Sequence, residues 1–121
     1  MQTWLAFARE DLEAAKHVMY VSARNACFLA QQAAEKALKA VLVREQVPFP
    51  KTHHLEQLRL LLPEALGRRL EEEDFSGLTS WAVASRYPDE WDEPGVRDVR
   101  RAMEQAMRVF AACEEAIGEA G

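Results

Sequence analysis

Apolar residues recur at helical spacing along almost the whole chain. In the first segment they lie three or four positions apart, which predicts an amphipathic helix at about 3–20. The segment at about 24–46 has the same spacing and contains neither Gly nor Pro, so it is the strongest helix prediction. The sequence VPFPKT then breaks the pattern, because Pro48 and Pro50 both disfavour helix.

Further helical segments are predicted after this break. Thr52 is a suitable N-cap for a short helix at about 53–62. Pro63 ends that helix and is suited to the first position of the next turn. The segments that follow are a short turn with Leu66 and Leu70, a short helix at about 75–85 and a long final helix at about 94–118. The stretch SRYPDEWDEPG, with two prolines, one glycine and four acids, predicts a loop between the last two helices.

The final helix carries the most regular apolar stripe in the chain. From Val96 to Ile117 the apolar positions alternate steps of 3 and 4. Such a stripe suits either antiparallel packing within a bundle or a dimer seam. No strand pattern competes elsewhere. We therefore predict an all-α fold, an up-and-down bundle of about five helices with a four-helix core and additional short helices.

Composition narrows the class of protein. A length of 121 residues with 49% apolar and 29% charged residues suits one globular domain, residues 1–121. The net charge of −5 argues against free, non-specific binding of nucleic acid. Cys27 and Cys113 fall in apolar helical patterns and are expected to be buried free thiols. With no long apolar run and no signal-peptide layout, we expect a cytoplasmic protein without a membrane span.

The common catalytic and cofactor motifs do not occur in the sequence. There is no Gly-rich phosphate loop, no HExxH and no Cys/His set with zinc spacing. His53 and His54 are adjacent, so their side chains diverge on a helix instead of sharing a face. We therefore expect neither a metal site nor a cofactor.

A group of basic residues lies on the second helix and just beyond it. Lys36 and Lys39 are three positions apart, and Lys51 and His53 follow the helix. They could form a basic edge for an anionic ligand, or a solvated face partly neutralised by acids such as Glu35. His53 could also serve as an acid or base, cap a helix or pack against a neighbour.

Two other polar features are candidates for ligand contact. Gln31 lies inside an apolar stripe, where a buried amide needs partners. Its side chain either forms an interhelical hydrogen bond or lines a pocket. Arg86, Tyr87 and Asp89 flank a proline, and Arg and Tyr are suited to phosphate contact and base stacking. The alternative is an ion pair of Arg86 with Asp89 or another local acid that fixes the loop.

Four pieces of the sequence, in this order, resemble the HEPN family (higher eukaryotes and prokaryotes nucleotide-binding). They are an aromatic residue and a DL pair in the first helix, the stretch QQAAEKALKA, the opening KTHHL and the segment RYPD. In this chain they are Trp4 with Asp11–Leu12, Gln31–Ala40, Lys51–Leu55 and Arg86–Asp89. The resemblance covers nearly the whole chain. At His54 many relatives have Asp as the helix-capping residue.

The resemblance implies a bundle of about five helices that usually dimerises. Small stand-alone members are often encoded beside a minimal nucleotidyltransferase and form a complex with it, and some pairs look like toxin–antitoxin modules. Other members are metal-independent ribonucleases with a His four to six residues after an Arg. Here residues 90–94, which follow Arg86 at four to eight positions, contain no His, and Arg24 has none in range either.

Two functional hypotheses follow from these residues and the resemblance. The first is a non-catalytic homodimer that binds a nucleotide or docks a small nucleotidyltransferase, with membrane and nucleic acid not expected as partners. The candidate ligand residues are Gln31, Lys36, Lys39, His53, Arg86, Tyr87 and Asp89. The alternative is a divergent metal-independent ribonuclease toxin, in which Arg86 holds phosphate and His53 or Tyr87 acts as acid or base.

Overall fold

The structure, a computed structural model, describes residues 2–84 and 94–120. Within these ranges the chain forms six α-helices and no strand. The helices are α1 (Gln2–Val18), α2 (Ala23–Arg44), α3 (Leu55–Arg59), α4 (Glu64–Arg69), α5 (Phe75–Ala84) and α6 (Val96–Ala120). The prediction of an all-α bundle with long and short helices is confirmed.

Helix α2 lies at the centre of the bundle. It packs most extensively against α1 and α6, and also against α3 and α5. Its contact surface is rich in alanine, and small side chains allow neighbouring helices to approach closely. The fully buried alanines of α2 are Ala26, Ala30, Ala33, Ala34, Ala37 and Ala40. Burial on several sides explains why this segment is apolar well beyond one stripe.

The apolar stripe of α6 is used inside the chain. Its members from Val99 to Cys113 are buried in the common core, where α6 packs on α2. Val96, the first member, is 73% exposed. Of the two uses considered for this stripe, bundle packing is the one observed. A dimer would therefore have to form through another surface.

Helix α2 ends in a Schellman motif, two residues earlier than its apolar pattern predicts. The amide of Gln46 donates to the carbonyl of Val43 at 3.1 Å, and the amide of Val47 donates to the carbonyl of Leu42 at 2.9 Å. Gln46 adopts a left-handed conformation with φ of 58°, a region that normally favours glycine. The helix thus stops at Arg44, before either proline acts.

The start of α3 differs from the prediction. The helix begins at Leu55, and Thr52 is not its N-cap. The Thr52 hydroxyl accepts instead from the amide of His54 at 3.0 Å, in the turn before the helix. The amide of Leu55 donates to the hydroxyl of Thr79 on α5 at 3.3 Å. A donor at the start of α3 is therefore satisfied by a tertiary contact, which local sequence cannot indicate.

Both cysteines are free and fully buried, as predicted. Burial raises the pKa of the Cys113 thiol to about 12. Burial, together with the negative charge of Asp98, raises the pKa of the Cys27 thiol to about 12. Both groups are therefore protonated and unreactive at neutral pH. In the described part of the chain, no helix is both long and apolar enough to cross a membrane.

Candidate functional site

A buried carboxylate, Glu35, lies at the centre of a polar cluster on α2. Glu35 is only 4% exposed. Gln31 and Lys39 lie four positions before and after it, on the same face of the helix. The Gln31 amide nitrogen donates to Glu35 Oε1 at 3.2 Å, and Lys39 Nζ donates to Oε2 at 2.9 Å. We call these residues, together with His53, the Glu35 cluster.

His53 joins this cluster from the connection between α2 and α3. Its Nδ1 lies 2.9 Å from Glu35 Oε1. Its backbone carbonyl accepts from the Gln31 amide nitrogen at 3.1 Å. Gln31 and Glu35 thus hold the backbone and the ring of His53 against α2. The His53 side chain nevertheless remains 48% exposed, so it is the cluster member that reaches the surface.

The Lys39 ammonium is enclosed by aromatic rings. It lies 5.6 Å from the centroid of Trp4 on α1 and 5.6 Å from that of Phe49 in the connection after α2. Together with the contact to Glu35 at 2.9 Å, the charge is stabilised by one carboxylate and two ring faces. Its side chain is 11% exposed. Lys39 is therefore part of the interior and not a projecting basic group.

The charge of Glu35 is stabilised where it is buried. Burial by itself raises the pKa of a carboxyl group, because the ionised form is poorly solvated. The hydrogen bonds from Lys39, His53 and Gln31 outweigh this effect, and the pKa of Glu35 lies below its ordinary value. Glu35 is therefore an ionised acceptor at neutral pH.

The predicted basic edge is largely neutralised within the chain. Lys36 Nζ lies 2.7 Å from the Asp11 carboxylate on α1, with both side chains mostly covered. Lys39 is paired with Glu35. Lys51 is exposed. Of the two interpretations of this basic group, a partly neutralised face describes Lys36 and Lys39 better.

The remaining candidate residues lie outside the described part of the chain. Arg86, Tyr87 and Asp89 belong to the RYPD segment, which falls between the described ranges. Their role as ligand contacts stays a prediction. Within the described ranges, no group of three or more His, Cys, Asp or Glu side chains is placed to hold a metal ion.

A cleft of about 360 Å³ lies between α5 and α6. Arg108 lines it but is already bound twice by Glu73, at 2.9 and 3.0 Å. The charged and aromatic lining consists of Glu72, Glu73, Asp74, Asp98, Arg101, Arg108 and Trp81. Because acids outnumber cations there, the cleft is poorly suited to a phosphate group.

Glu35 is the residue of this site that sequence reasoning undervalued. In sequence it forms an i, i+4 pair with Lys39, which is typical of a solvated helix face. The available signal was the spacing of Gln31, Glu35 and Lys39 beside an apolar stripe. That spacing places a complementary amide, acid and base in one row. The rings that cover the row come from other parts of the chain.

Comparison with known proteins identifies the family. A family model described as the HEPN domain matches residues 1–116. The chain belongs to the HEPN family. The resemblance noted in its motifs is thereby confirmed over nearly its whole length.

Two solved structures share this fold. An archaeal HEPN homologue, ST0689, is 27% identical, with a TM-score of 0.71 and coverage of 96% of each chain. The protein TT1696 from Thermus thermophilus is 30% identical, with a TM-score of 0.71 and coverage of 94% of this HEPN chain and 95% of its own. A comparison with curated proteins gives no match.

Proposed function

We propose that this HEPN protein is a non-catalytic module that binds a nucleotide, a minimal nucleotidyltransferase partner or both, in a pair of the toxin–antitoxin kind. The observation that carries the proposal is the neutralisation of two of its candidate cations. Lys36 and Lys39 are both paired with carboxylates of the chain. An RNA backbone is bound chiefly through free Lys and Arg side chains. A protein surface or a small ligand suits this site better than a polyanion.

The sequence after Arg86 supports binding over cleavage. Family ribonucleases place a His four to six residues after their Arg, and no His occurs at residues 90–94 of this chain. Four acids follow Arg86 within seven positions instead. Negative charge at this spacing disfavours close approach of a phosphodiester.

Co-expression tests the protein partner. The chain should be tagged and co-expressed with the nucleotidyltransferase encoded beside it, and an unrelated nucleotidyltransferase serves as the control. We expect the neighbouring protein, and not the control, to co-purify and co-elute in gel filtration. Separate elution of the two proteins at micromolar concentration would contradict the docking half of the proposal.

Calorimetry and thermal-shift titration test the nucleotide ligand. We expect at least one nucleoside mono- or triphosphate to bind saturably and to raise the unfolding temperature. Arg86→Ala and Tyr87→Ala should weaken that binding, whereas Lys36→Gln should not, because Lys36 is held by Asp11. If no nucleotide shifts the unfolding temperature, with or without the partner, this half of the proposal is removed.

A homodimer is the proposed assembly, as the family resemblance implies. The apolar stripe of α6 is buried inside the chain, so it does not support the dimer. Analytical ultracentrifugation at micromolar concentration gives a direct answer. Sedimentation as a monomer would contradict this assembly.

The ribonuclease alternative is favoured by one observation. A buried carboxylate that contacts one nitrogen of an exposed imidazole is an arrangement that general bases use, and Glu35 and His53 form such a pair at 2.9 Å. The test is incubation of mixed RNA in EDTA with the wild-type chain, Arg86→Ala and His53→Asn. Cleavage that both variants lose supports the alternative. Equal, undetectable cleavage by all three proteins excludes it.

A further inference from the structure

The ring of His53 is held by one edge and open at the other. Its Nδ1 contacts the buried Glu35 carboxylate at 2.9 Å, while Gln31 holds its backbone carbonyl at 3.1 Å. The side chain is still 48% exposed. Since Nδ1 faces the Glu35 carboxylate, the opposite edge of the ring, which includes Nε2, points away from it.

The partners of Glu35 determine where the imidazole proton lies. An ionised carboxylate can only accept hydrogen bonds, so Nδ1 must be the donor in this contact. The other carboxylate oxygen accepts from Lys39 at 2.9 Å, which already compensates the charge of Glu35. His53 therefore need not supply a second positive charge. In a neutral imidazole with a proton on Nδ1, Nε2 carries a lone pair and accepts hydrogen bonds.

We infer that His53 Nε2 is a ligand-binding site for an O–H or N–H donor, with its tautomer fixed by Glu35. This inference rests on the proposed nucleotide binding and specifies which part of the ligand is recognised. The ionised oxygens of a nucleotide phosphate are acceptors and cannot donate to Nε2, and Lys36 and Lys39 are neutralised within the chain. The nucleoside, through a ribose hydroxyl or a base amine, is the part that matches this acceptor.

The tautomer is measurable on the free protein by two-bond ¹H–¹⁵N NMR of the imidazole rings at neutral pH. We expect His53 to show a protonated Nδ1 and an unprotonated Nε2. The exposed His17 and His54 serve as internal references. A His53 signal with the proton on Nε2 overturns the inference, whatever the ligand experiments give.

Substitution of His53 by asparagine separates the two edges of the ring. Asn places its amide near the position of Nδ1, so His53→Asn can keep the contact with Glu35 while it removes Nε2. We expect His53→Asn to weaken binding of AMP and adenosine about tenfold, the effect of one lost hydrogen bond. Sulfate, an anion that carries no proton at neutral pH, should leave the His53 signals unchanged. Unchanged affinity in His53→Asn overturns the inference but leaves the proposed function intact.

Ligand analogues distinguish the two donors. Purine riboside lacks the base amine, and the 2′- and 3′-deoxyadenosines each lack one ribose hydroxyl. One of these three analogues should bind to the wild-type chain about tenfold more weakly than adenosine does. The same analogue should bind to His53→Asn with the affinity that adenosine has for that variant. Equal affinity for all four compounds overturns the inference. If none of the nucleotides or nucleosides binds, the ligand role and the nucleotide half of the proposed function fail together.

The role of Glu35 as a positioning residue has its own test. Glu35→Gln alone leaves Lys39 buried without its carboxylate, so the double variant Glu35→Gln/Lys39→Met is the better probe of a folded protein. We expect this variant to lose the fixed Nδ1–H tautomer of His53 and to bind adenosine about tenfold more weakly. A folded double variant that keeps both the tautomer and the affinity overturns the assignment.

Discussion

Replacement of Lys39 by methionine tests whether the Glu35 cluster is a coupled buried unit. Lys39→Met keeps the length and most of the volume of the side chain between the rings of Trp4 and Phe49. It removes the ammonium that lies 2.9 Å from Glu35. The carboxylate is then left in the interior with two hydrogen-bond donors and no permanent positive partner.

The expected cost follows from the burial of this pair. The side chains of Lys39 and Glu35 are 11% and 6% exposed, so solvent screens little of the lost interaction. Removal of one partner of a buried ion pair costs roughly 3–5 kcal/mol. Because His53 and Gln31 still donate to Glu35, we expect a value near the lower limit, about 3 kcal/mol in the free energy of unfolding.

Urea unfolding followed by circular dichroism measures this loss, provided that the slope with urea is unchanged. Lys36→Met is the matched control on the same helix. The side chains of Lys36 and Asp11 are more exposed, at 25% and 16%, so Lys36→Met should lower the free energy of unfolding by about 1 kcal/mol.

A double variant completes the cycle. Glu35→Gln/Lys39→Met removes both charges together, and we expect it to be more stable than Lys39→Met alone because no buried charge is left unpaired. A cost of less than about 1 kcal/mol for Lys39→Met would show that the cluster is not a coupled unit. So would a loss of stability in the double variant equal to the sum of the losses in Lys39→Met and Glu35→Gln.

Three further outcomes are expected. Gln46→Gly should raise the free energy of unfolding by about 0.5–1 kcal/mol in urea titrations, because glycine adopts the φ of 58° without strain. A decrease of the same size in the free energy of unfolding would contradict the Schellman assignment. The stability that depends on the lowered pKa of Glu35 should be complete above the ordinary value of 4.5 and decline as the pH falls through the folded-state pKa; acid titration of Glu35→Gln/Lys39→Met should show a shallower decline than the wild type. Cys27 and Cys113 should not react with a thiol reagent in the folded chain and should both react in urea; fast labelling without denaturant would show that they are not buried.

The spacing of apolar residues predicts the helices, because a helix buries one face by placing apolar residues three or four positions apart. The segments that became α2 and α6 were identified from their apolar spacing, and their ends were correct to within about two residues. The sequence predicts that Pro48 and Pro50 end α2. The Schellman motif was missed because a glutamine at the left-handed position gives no sequence signal.

The candidate site was less accessible to sequence reasoning. Gln31 was identified because an amide in an apolar stripe is unusual. Lys39 was expected at a basic edge, since the rings that cover it belong to α1 and to the connection after α2. The contact of His53 with Glu35 joins residues 18 positions apart through a turn whose path the sequence does not specify.

The central position of α2 has a consequence for the order of folding. Its contacts with α1 are formed across a short turn, whereas α6 begins at Val96, long after α2 has ended at Arg44. Contacts between near neighbours cost less chain entropy to form. We expect α1 and α2 to pair before the rate-limiting step and α6 to dock after it. Ala34→Gly on α2 should then slow refolding in stopped-flow experiments, whereas Val109→Ala on α6 should chiefly accelerate unfolding.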